Sequence, residues 1–266
     1  MEQFPRNLFP SDILLAASAA FGTSALTATL LDQTEAATGP TGLPADSPLQ
    51  TTLLHPREAA RLATFKLAKR RSEFHSGRIS AKMAMVSYWA REGSGPIPPF
   101  DRIAIVNDNT GRPFVCIDSP VNIAPPEISI THGGEYAAAL AAASPCGIDI
   151  QLQRDNLFRV REKYSLPDEL RLLKELLPDT AALARLSMLW TAKEAAKKAL
   201  SFWQMPGFLE LALISPADIL PSGITLRFAV RIVDNLRMPE TVTVLATTFA
   251  NYGLAICVIE KEKCHA

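Results

Sequence analysis

The sequence has no excess of charge of either sign. Its 27 lysine and arginine residues are balanced by 27 aspartate and glutamate residues in a chain of 266. A balanced chain has no overall field that attracts nucleic acid or an anionic membrane, so any affinity for anions has to arise from local clusters. The basic surface with interleaved aromatic residues that is typical of nucleic-acid binding is not visible either. We therefore expect no nucleic-acid partner.

The spacing of a zinc site is also missing. The chain has four cysteines, Cys116, Cys146, Cys257 and Cys264. They show no C-x-x-C pattern. In a chain of this size they imply neither a zinc site nor a disulfide framework, and reduced thiols indicate a cytoplasmic protein. A G-x-x-x-x-G-K-(S/T) loop is absent, which disfavours P-loop chemistry.

A membrane segment is not expected, although residues 13–31 (ILLAASAAFGTSALTATLL) carry no charge. The run is rich in Ala, Ser and Thr, is interrupted by Gly22, and lacks the basic start of a signal peptide. We interpret it as two short strands, about 13–20 and 24–31. The Pro/Gly-rich stretch that follows, 33–50, predicts a surface loop.

The rest of the chain alternates helical and strand-like patterns, which predicts an α+β protein. Helices are expected from Pro56 to about residue 74, at 78–91 after a break at Gly77, at 157–177 with a break at Pro167, and at 180–202. Strands are expected on both sides of the N-D-N-T-G turn (107–111), at 128–132, at 147–151, and in three or four runs after Pro206. The alanine-rich run EYAAALAAAS (135–144) favours a helix by propensity, but its short length and strand-like flanks indicate a buried strand.

The stretch GIDIQ (147–151) raises a question about charge. A strand that buries its isoleucines on one face places Asp149 on the other, because neighbouring strand side chains alternate. An ionised carboxylate is costly to bury without a partner. Asp149 therefore needs a counter-charge from elsewhere in the chain or from a bound cation.

The helix at 183–200 (LARLSMLWTAKEAAKKAL) is apolar on most of its circumference, which indicates burial. At about 100° per residue its charges fall in one arc, and they are Lys193, Glu194, Lys197 and Lys198. One interpretation is a solvated face with an ordinary pair between Glu194 and Lys198. The other is a magnesium and phosphate site, in which Asp149 and Glu194 bind the metal and the lysines neutralise phosphate.

These residues resemble the paired signature of the 4′-phosphopantetheinyl transferases. GIDIQ followed by LWTAKEAAKKAL is similar to G-(I/V)-D and W-(S/T)-x-K-E-(A/S)-x-x-K in that family. Three further blocks match in the family's order: KRRSEFHSGRISAKMAM as in the surfactin/enterobactin-type branch, GRPF at 111–114, and ISITHGG before the Asp149 strand. The five ordered blocks span roughly residues 65–200.

The resemblance implies a pseudo-twofold α+β fold of two similar halves, with the active site in the cleft between them. We expect the halves at 1–144 and 145–266, although no close internal repeat is visible in the sequence. The implied enzyme transfers 4′-phosphopantetheine from coenzyme A to a serine of an apo acyl or peptidyl carrier protein. It requires Mg²⁺ and releases adenosine 3′,5′-bisphosphate, and we expect it to be monomeric.

The resemblance also implies roles for individual residues. Asp149 and Glu194 match the metal-binding acids, and Glu194 is in addition a proposed base for the serine hydroxyl. Lys198 and His132 match phosphate-contacting, catalytic positions. The remaining coenzyme A contacts that the motifs imply are Lys69, Arg70, Arg71, Arg78, Arg112 and Thr131.

One position departs from the family pattern. Many members carry a third acid two positions after the aspartate, where this chain has Gln151. A glutamine offers a neutral carbonyl oxygen, so Gln151 would bind the metal weakly or through water. Two alternatives stay open: a catalytically impaired module of the same fold that binds coenzyme A or a carrier protein, and a different magnesium phosphotransferase.

Overall fold

The computed structural model describes residues 5–33, 53–232 and 238–260. Within these residues the chain forms two compact units, each built from helices and antiparallel strands, which confirms the predicted α+β class. The first unit contains the described residues of 1–10 and 25–143, and the second contains 11–24 and the described residues from 144 onward. The predicted loop, apart from Gln33, and Cys264 lie outside the described residues.

The first helix, α1 (Ser11–Ala20), groups with the second unit. The strand predicted at 13–20 is therefore wrong, whereas the strand predicted at 24–31 is confirmed as β1 (Leu26–Asp32). Alanine, the strongest helix former, occupies four of the ten positions of α1. Asp12 lies in the first turn, where the helix dipole favours a negative charge.

The first unit packs a long helix on a sheet. Its elements after β1 are α2 (Pro56–Ala63), α3 (Ala68–Arg91), β2 (Ile103–Asn107), β3 (Pro113–Ile117), β4 (Glu127–Gly133) and β5 (Tyr136–Ala142). Strand β5 lies between β1 and β4, and β2 pairs with β3 in a hairpin. The strand assignment of the alanine-rich run is confirmed: Ala137 to Ala142 are all buried.

The helix boundaries predicted in this region are wrong. The break lies between Ala63 and Ala68, and α3 continues through Gly77. A Cβ atom on Gly77 would lie 3.1 Å from the Ile130 side chain of β4. Gly77 thus lies in helix and allows α3 to approach the sheet closely, since tertiary packing outweighs the modest propensity penalty of glycine.

The second unit packs a long helix on a sheet of five antiparallel strands. Its elements after α1 are β6 (Cys146–Leu152), α4 (Asn156–Val160), α5 (Pro167–Leu176), α6 (Ala182–Leu200), β7 (Leu211–Leu220), β8 (Gly223–Val230), β9 (Thr241–Phe249) and β10 (Tyr252–Val258). The strand order is β6-β10-β9-β8-β7. These bounds confirm the helix at 180–202, the helix break before Pro167 and the four strands after Pro206. Among the described residues, no helix combines the length and apolar character needed to cross a membrane.

The two units share one order of elements. Apart from α1 and α4, which only the second unit has, each runs from a strand through a short and a long helix to four strands, and in each the first strand pairs with the last. In the first unit the short and long helices are α2 and α3, and in the second they are α5 and α6. The similarity of the halves that the family resemblance implied is therefore present in the chain order, although the sequence shows no close repeat.

The first unit buries an ion pair between its two helices. Glu58, the third residue of α2, accepts hydrogen bonds from the backbone of His55 and Ile105, both at 2.9 Å. Its carboxylate also contacts the ammonium of Lys82 on α3 at 2.5 Å, and both side chains are at most 1% exposed. Lys82 in turn donates to the carbonyl of Phe100. Burial lowers the pKa of Lys82, and the charge of Glu58 opposes that shift.

The second unit repeats this arrangement. Glu169, the third residue of α5, accepts from the backbone of Leu166 at 2.7 Å and of Leu213 at 2.8 Å. The ammonium of Lys193 on α6 contacts the same carboxylate at 2.8 Å and donates to the carbonyl of Phe208 at 3.2 Å. Glutamate and lysine are 24 residues apart in both units. Burial lowers the pKa of Lys193 as well, again opposed by its carboxylate partner.

Helix α6 lies directly against β6. A Cβ atom on Gly147 would lie 1.9 Å from the carbonyl oxygen of Ala195, far inside contact distance. On the neighbouring strand β10, a Cβ on Gly253 would lie 2.8 Å from the carbonyl of Ser187. Only glycine fits at these two crossings, so they fix how close the helix comes to the sheet.

We expect Gly147→Ala to destabilise the protein by about 3 kcal/mol or more, because the added methyl group meets backbone that cannot move aside. Urea unfolding followed by circular dichroism measures this change. Gly77→Ala is the matched control: its new contact is one side-chain methyl group, Cγ2 of Ile130 at 3.1 Å, which has to move by only a few tenths of an ångström. Alanine also gains about 1 kcal/mol of helix propensity, so the net change should stay below about 1 kcal/mol. An unfolding midpoint for Gly147→Ala equal to that of the wild type would contradict the close approach.

The core of the second unit contains a thiol that should cause a loss of stability at alkaline pH. Burial raises the pKa of Cys257 from 9.0 to about 12. Below pH 9 the thiol is protonated in both states; above it, the unfolded chain ionises first. The free energy of unfolding should therefore fall by about 1.4 kcal/mol per pH unit from this group.

Cys257→Ala should remove that part of the decline, measured as the free energy of urea unfolding between about pH 8.5 and pH 10. Cys116→Ala, at a half-buried thiol, controls for the loss of a cysteine. An unchanged pH slope in Cys257→Ala would show that the thiol does not contribute.

Candidate functional site

Strand β6 presents Asp149 to helix α6. Ile148 and Ile150 are at most 1% exposed on one face of the strand. Gly147, Asp149 and Gln151 alternate with them and therefore lie on the face that α6 covers. The alternation predicted from GIDIQ is thus present, but both faces of the strand are covered, and Asp149 is only 7% exposed.

The counter-charge of Asp149 is Lys198. The ammonium of Lys198 lies 2.8 Å from the Asp149 carboxylate and also donates to the carbonyl of Ile148 at 2.9 Å. Hydrogen bonds between ionised partners of this length are among the stronger ones in proteins. The lysine side chain is 25% exposed, so a further anion can reach it from solvent. The buried carboxylate of Asp149 is thus neutralised by Lys198.

Glu194 lies one turn before Lys198 on the same face of α6. Its carboxylate is 23% exposed and lies 3.1 Å from the ammonium of Lys197. That ammonium also lies 3.9 Å from the centre of the Phe208 ring. Trp190 packs edge-on against Tyr164 and tilted against Phe208, so it belongs to the core around the site.

Lys193 does not belong to the exposed charges of α6. The helix wheel places it in the same arc as Glu194, but the structure buries it completely against Glu169. The sequence pattern did not reveal this, because the partner lies on another helix, 24 residues earlier. Of the three lysines expected to neutralise phosphate, Lys197 and Lys198 are accessible and Lys193 is not.

The donor atoms at this site fit a hard divalent cation. Asp149 and Glu194 carry carboxylate oxygens, and Gln151, whose amide nitrogen donates to the carbonyl of Leu152, carries a neutral carbonyl oxygen. Within the described part of the chain, no three His, Cys, Asp or Glu side chains cluster as a metal site would need. Magnesium typically takes one or two protein carboxylates together with water and phosphate oxygens, which agrees with this set.

The first unit carries two basic side chains and a histidine around Glu73. Lys69 and Arg70, on the first turn of α3, lie 3.7 Å and 3.3 Å from its carboxylate. His132, at the end of β4, places its Nδ1 atom 3.7 Å from the same carboxylate and is 39% exposed. Exposed pairs of this kind add little stability, so their main effect is to hold positive charge at one place on the surface.

The other residues predicted to contact coenzyme A lie in different surroundings. Arg71 donates to the carbonyls of Phe65 and Lys66 and so closes the turn before α3. Thr131 is 5% exposed and lies on the strand face opposite to His132. Arg112 follows the turn between β2 and β3 and pairs with Glu127.

Arg78 lines a cavity of about 370 Å³ in the first unit. It is 9% exposed, donates to Asn107 at 3.0 Å, and stacks its guanidinium 4.5 Å from the centre of the Phe74 ring. Its Nε atom lies 3.7 Å from Glu58. Burial lowers the pKa of Arg78, and the charge of Glu58 opposes that shift.

Two further arginines of α2, Arg57 and Arg61, line the same cavity, and the sequence analysis missed them. Their spacing of four residues places them on one helix face, which is the signal that would have revealed them. Since Glu58 is already engaged by Lys82, the cavity wall carries a net positive charge. Arginine guanidinium groups with an aromatic ring are suited to a phosphate with an attached planar group.

Comparisons with known proteins point to one superfamily for part of the chain. The family model described as ACPS, 4′-phosphopantetheinyl transferase superfamily, matches residues 145–257, which contain β6 and α6. No curated protein sequence matches the chain significantly.

Three solved structures are similar over less than half of the chain. An apo-ACPS structure from Chronobacterium ammoniagenes is 24% identical over 43% of this chain and 91% of its own, with a TM-score of 0.35. An ACPS-CoA complex from the same organism is 26% identical over 43% and 92%, with a TM-score of 0.35. A holo-ACP-synthase from Plasmodium yoelii is 18% identical over 44% and 90%, with a TM-score of 0.34.

Proposed function

We propose that this protein transfers the 4′-phosphopantetheine arm of coenzyme A to a serine of an apo carrier protein. The observation that carries the proposal is the contact of Asp149 with Lys198, with Glu194 one turn away, inside the segment that the superfamily model matches. Two carboxylates and an accessible ammonium on one buried strand–helix crossing are the groups that phosphoryl-type transfer requires. We further propose that the protein is a cytoplasmic monomer of the surfactin/enterobactin-type branch.

The chemistry exchanges one phosphorus–oxygen bond for another. The serine hydroxyl attacks the β-phosphorus of the coenzyme A pyrophosphate, the new ester bond forms, and the bond to the bridging oxygen breaks. Adenosine 3′,5′-bisphosphate leaves with the negative charge. Glu194, or a water that it orients, accepts the serine proton. Because the nucleophile belongs to the carrier protein, the chain itself needs no Ser-His-Asp or Cys-His arrangement.

Fixed positive charge is the second contribution of the chain. Lys198 is held by Asp149 and the Ile148 carbonyl, so its ammonium is oriented before substrate arrives, which avoids reorganisation during the reaction. Mg²⁺, held by Asp149 and Glu194 with Gln151 or water, would supply Lewis-acid stabilisation of the pyrophosphate oxygens.

The cations of the first unit would hold the nucleotide end of coenzyme A. Lys69 and Arg70 place positive charge, and His132 places an imidazole, at the surface around Glu73, and Arg112 would contact the nucleotide after release from Glu127. The cavity lined by Arg57, Arg61 and Arg78 offers a place for a phosphate. The side chain of Arg71 is engaged with backbone carbonyls and that of Thr131 is buried. These two residues would therefore hold the neighbouring basic groups in place and would not contact coenzyme A themselves.

A second candidate function is a module that binds coenzyme A or a carrier protein without turnover. The observation in its favour is Gln151, which lowers the protein charge available to the metal from three carboxylates to two. A transfer assay distinguishes the two functions directly.

We expect Asp149→Ala and Glu194→Ala each to reduce transfer at least 100-fold while the protein stays folded, because each removes half of the protein charge on the metal. The measurement is the intact mass of an apo carrier protein after incubation with enzyme, coenzyme A and Mg²⁺, with and without EDTA. Asp168→Ala, at an exposed acid that pairs only locally with Arg171, should leave transfer unchanged. Full activity in either site variant would refute the assignment of metal ligands. No mass gain by the wild type on fatty-acid, polyketide or peptide-synthetase carriers would favour the binding module.

Gln151→Glu should preserve transfer and lower the Mg²⁺ concentration needed for half-maximal activity by several-fold, because a third carboxylate strengthens binding of a hard cation. A magnesium titration of wild type and variant measures this. Gln151→Ala, which removes the side-chain oxygen without adding charge, should move the requirement the other way. A higher requirement in Gln151→Glu would contradict a metal-facing role for this position.

A further inference from the structure

The buried pair of Glu169 and Lys193 lies next to the proposed reacting groups, since Lys193 directly precedes Glu194 in α6. We propose that Glu169 and Lys193 are positioning residues, which fix α6 about its axis so that Glu194 and Lys198 face Asp149. This inference rests on the proposed transferase function and adds to it two residues that do not touch substrate.

The pair connects α6 to three other parts of the second unit. One carboxylate oxygen of Glu169 accepts from the backbone of Leu166, before α5, and the other accepts from Leu213, at the start of β7. Lys193 adds a bond to the carbonyl of Phe208. Side chains of both residues are at most 2% exposed, so water cannot replace these bonds.

The geometry of a helix explains why this anchor orients the site. Consecutive residues are rotated by about 100°, so Glu194 is fixed about 100° and Lys198 about 140° from the anchored Lys193. With side chains that extend about 5 Å from the axis, a rotation of α6 by about 20° would move the carboxylate of Glu194 by about 2 Å. A misplacement of about 1 Å in a catalytic group is enough to reduce a rate about 100-fold.

Stability alone does not explain the pair. Buried ion pairs are often no more stable than apolar residues of the same volume, because both charges lose their hydration. Their hydrogen bonds are directional, however, so they allow one arrangement where apolar contacts allow several. The pair therefore restricts the orientation of α6 in a way that a leucine or methionine at position 193 would not.

The first unit provides a matched control. Lys82 and Glu58 form the same buried network at the same spacing, but the residue after Lys82 is Met83, which has no carboxylate. Loss of Lys82 should therefore remove the same kind of bonds without moving an acid of the proposed metal site. Because Glu58 also lines the cavity of Arg57, Arg61 and Arg78, an effect on coenzyme A is expected in KM, and kcat is the value compared between the two variants.

The test compares Lys193→Met, Lys82→Met and the double variant Glu169→Gln/Lys193→Met. For each, kcat and KM for coenzyme A are measured by carrier mass, Tm by calorimetry, and Mn²⁺ binding in the presence of coenzyme A by electron paramagnetic resonance. Hydrogen exchange of residues 194–198 is compared with that of residues 83–87. The double variant removes the unpaired carboxylate, so it provides a folded protein even where Lys193→Met alone unfolds.

We expect Lys193→Met to lower kcat at least 100-fold with KM changed less than about fivefold, and to weaken Mn²⁺ binding. Lys82→Met should show a similar fall in Tm with kcat within about threefold of the wild type. The double variant should regain Tm but not kcat, because the anchor is still absent. Recovery of kcat together with Tm, or an equal loss of kcat in both single variants, would overturn the proposal.

A different set of results is expected if the protein is not a transferase. In that case the wild type itself transfers nothing, and hydrogen exchange decides whether the pair anchors α6. Faster exchange at 194–198 in Lys193→Met than at 83–87 in Lys82→Met would support the anchor, and equal exchange would overturn it.

Discussion

A buried hydrogen-bonded ion pair between a helix-capping glutamate and a lysine of the long helix is the interaction on which both units depend. In each unit the glutamate satisfies a backbone amide at the start of its own helix and another in a strand, while the lysine satisfies a carbonyl before that strand. Two side chains thereby fix the start of the short helix, the long helix and the sheet relative to one another within each unit. Removing one partner would leave an unpaired buried charge, which is costly.

Close packing complements this network in the second unit. Gly147 and Gly253 let α6 lie on β6 and β10 at backbone contact, so the helix position normal to the sheet is set by sterics. The ion pair sets its rotation. With both fixed, Lys198 lies 2.8 Å from Asp149, and the buried carboxylate acquires its partner from a helix whose other surface is mostly alanine and leucine.

Much of the fold could be read from local pattern. The isoleucine–aspartate alternation predicted β6, and the start of α2 at Pro56 and the strands after Pro206 followed from turn residues and β-branched runs. Alanine-rich runs were harder to assign: the strand predicted at 13–20 was wrong, and the strand predicted at 135–144 was confirmed. Ser11–Ala20 and Tyr136–Ala142 are both alanine-rich, but the first is a helix and the second a strand, because the second has strands to pair with on both sides.

The residues of the candidate site also fall into those that local pattern predicted and those that it did not. Motif spacing identified Asp149, Glu194 and Lys198, since they lie on elements with clear periodicity. The same wheel placed Lys193 with the exposed charges, although its partner Glu169 lies on another helix and buries it. Arg57 and Arg61 escaped notice because their cavity forms only when α2 packs near α3 and β2. Side-chain partners across elements are a property of the packed structure, which no local pattern records.

The grouping of α1 with the second unit has a consequence for synthesis. Residues 11–24 leave the ribosome early, yet α1 contacts β8 and β9, and Asp12 accepts a hydrogen bond from Ser222 in the turn before β8. The chain leaves the first unit after residue 10, contributes residues 11–24 to the second unit, and returns to the first unit at residue 25. Throughout translation of residues 25–143, the buried side of α1, with Ile13 and Ala17, has no native partner. The second unit thus cannot close until β8 and β9 have been made, whereas all residues of the first unit are present once residue 143 has been added.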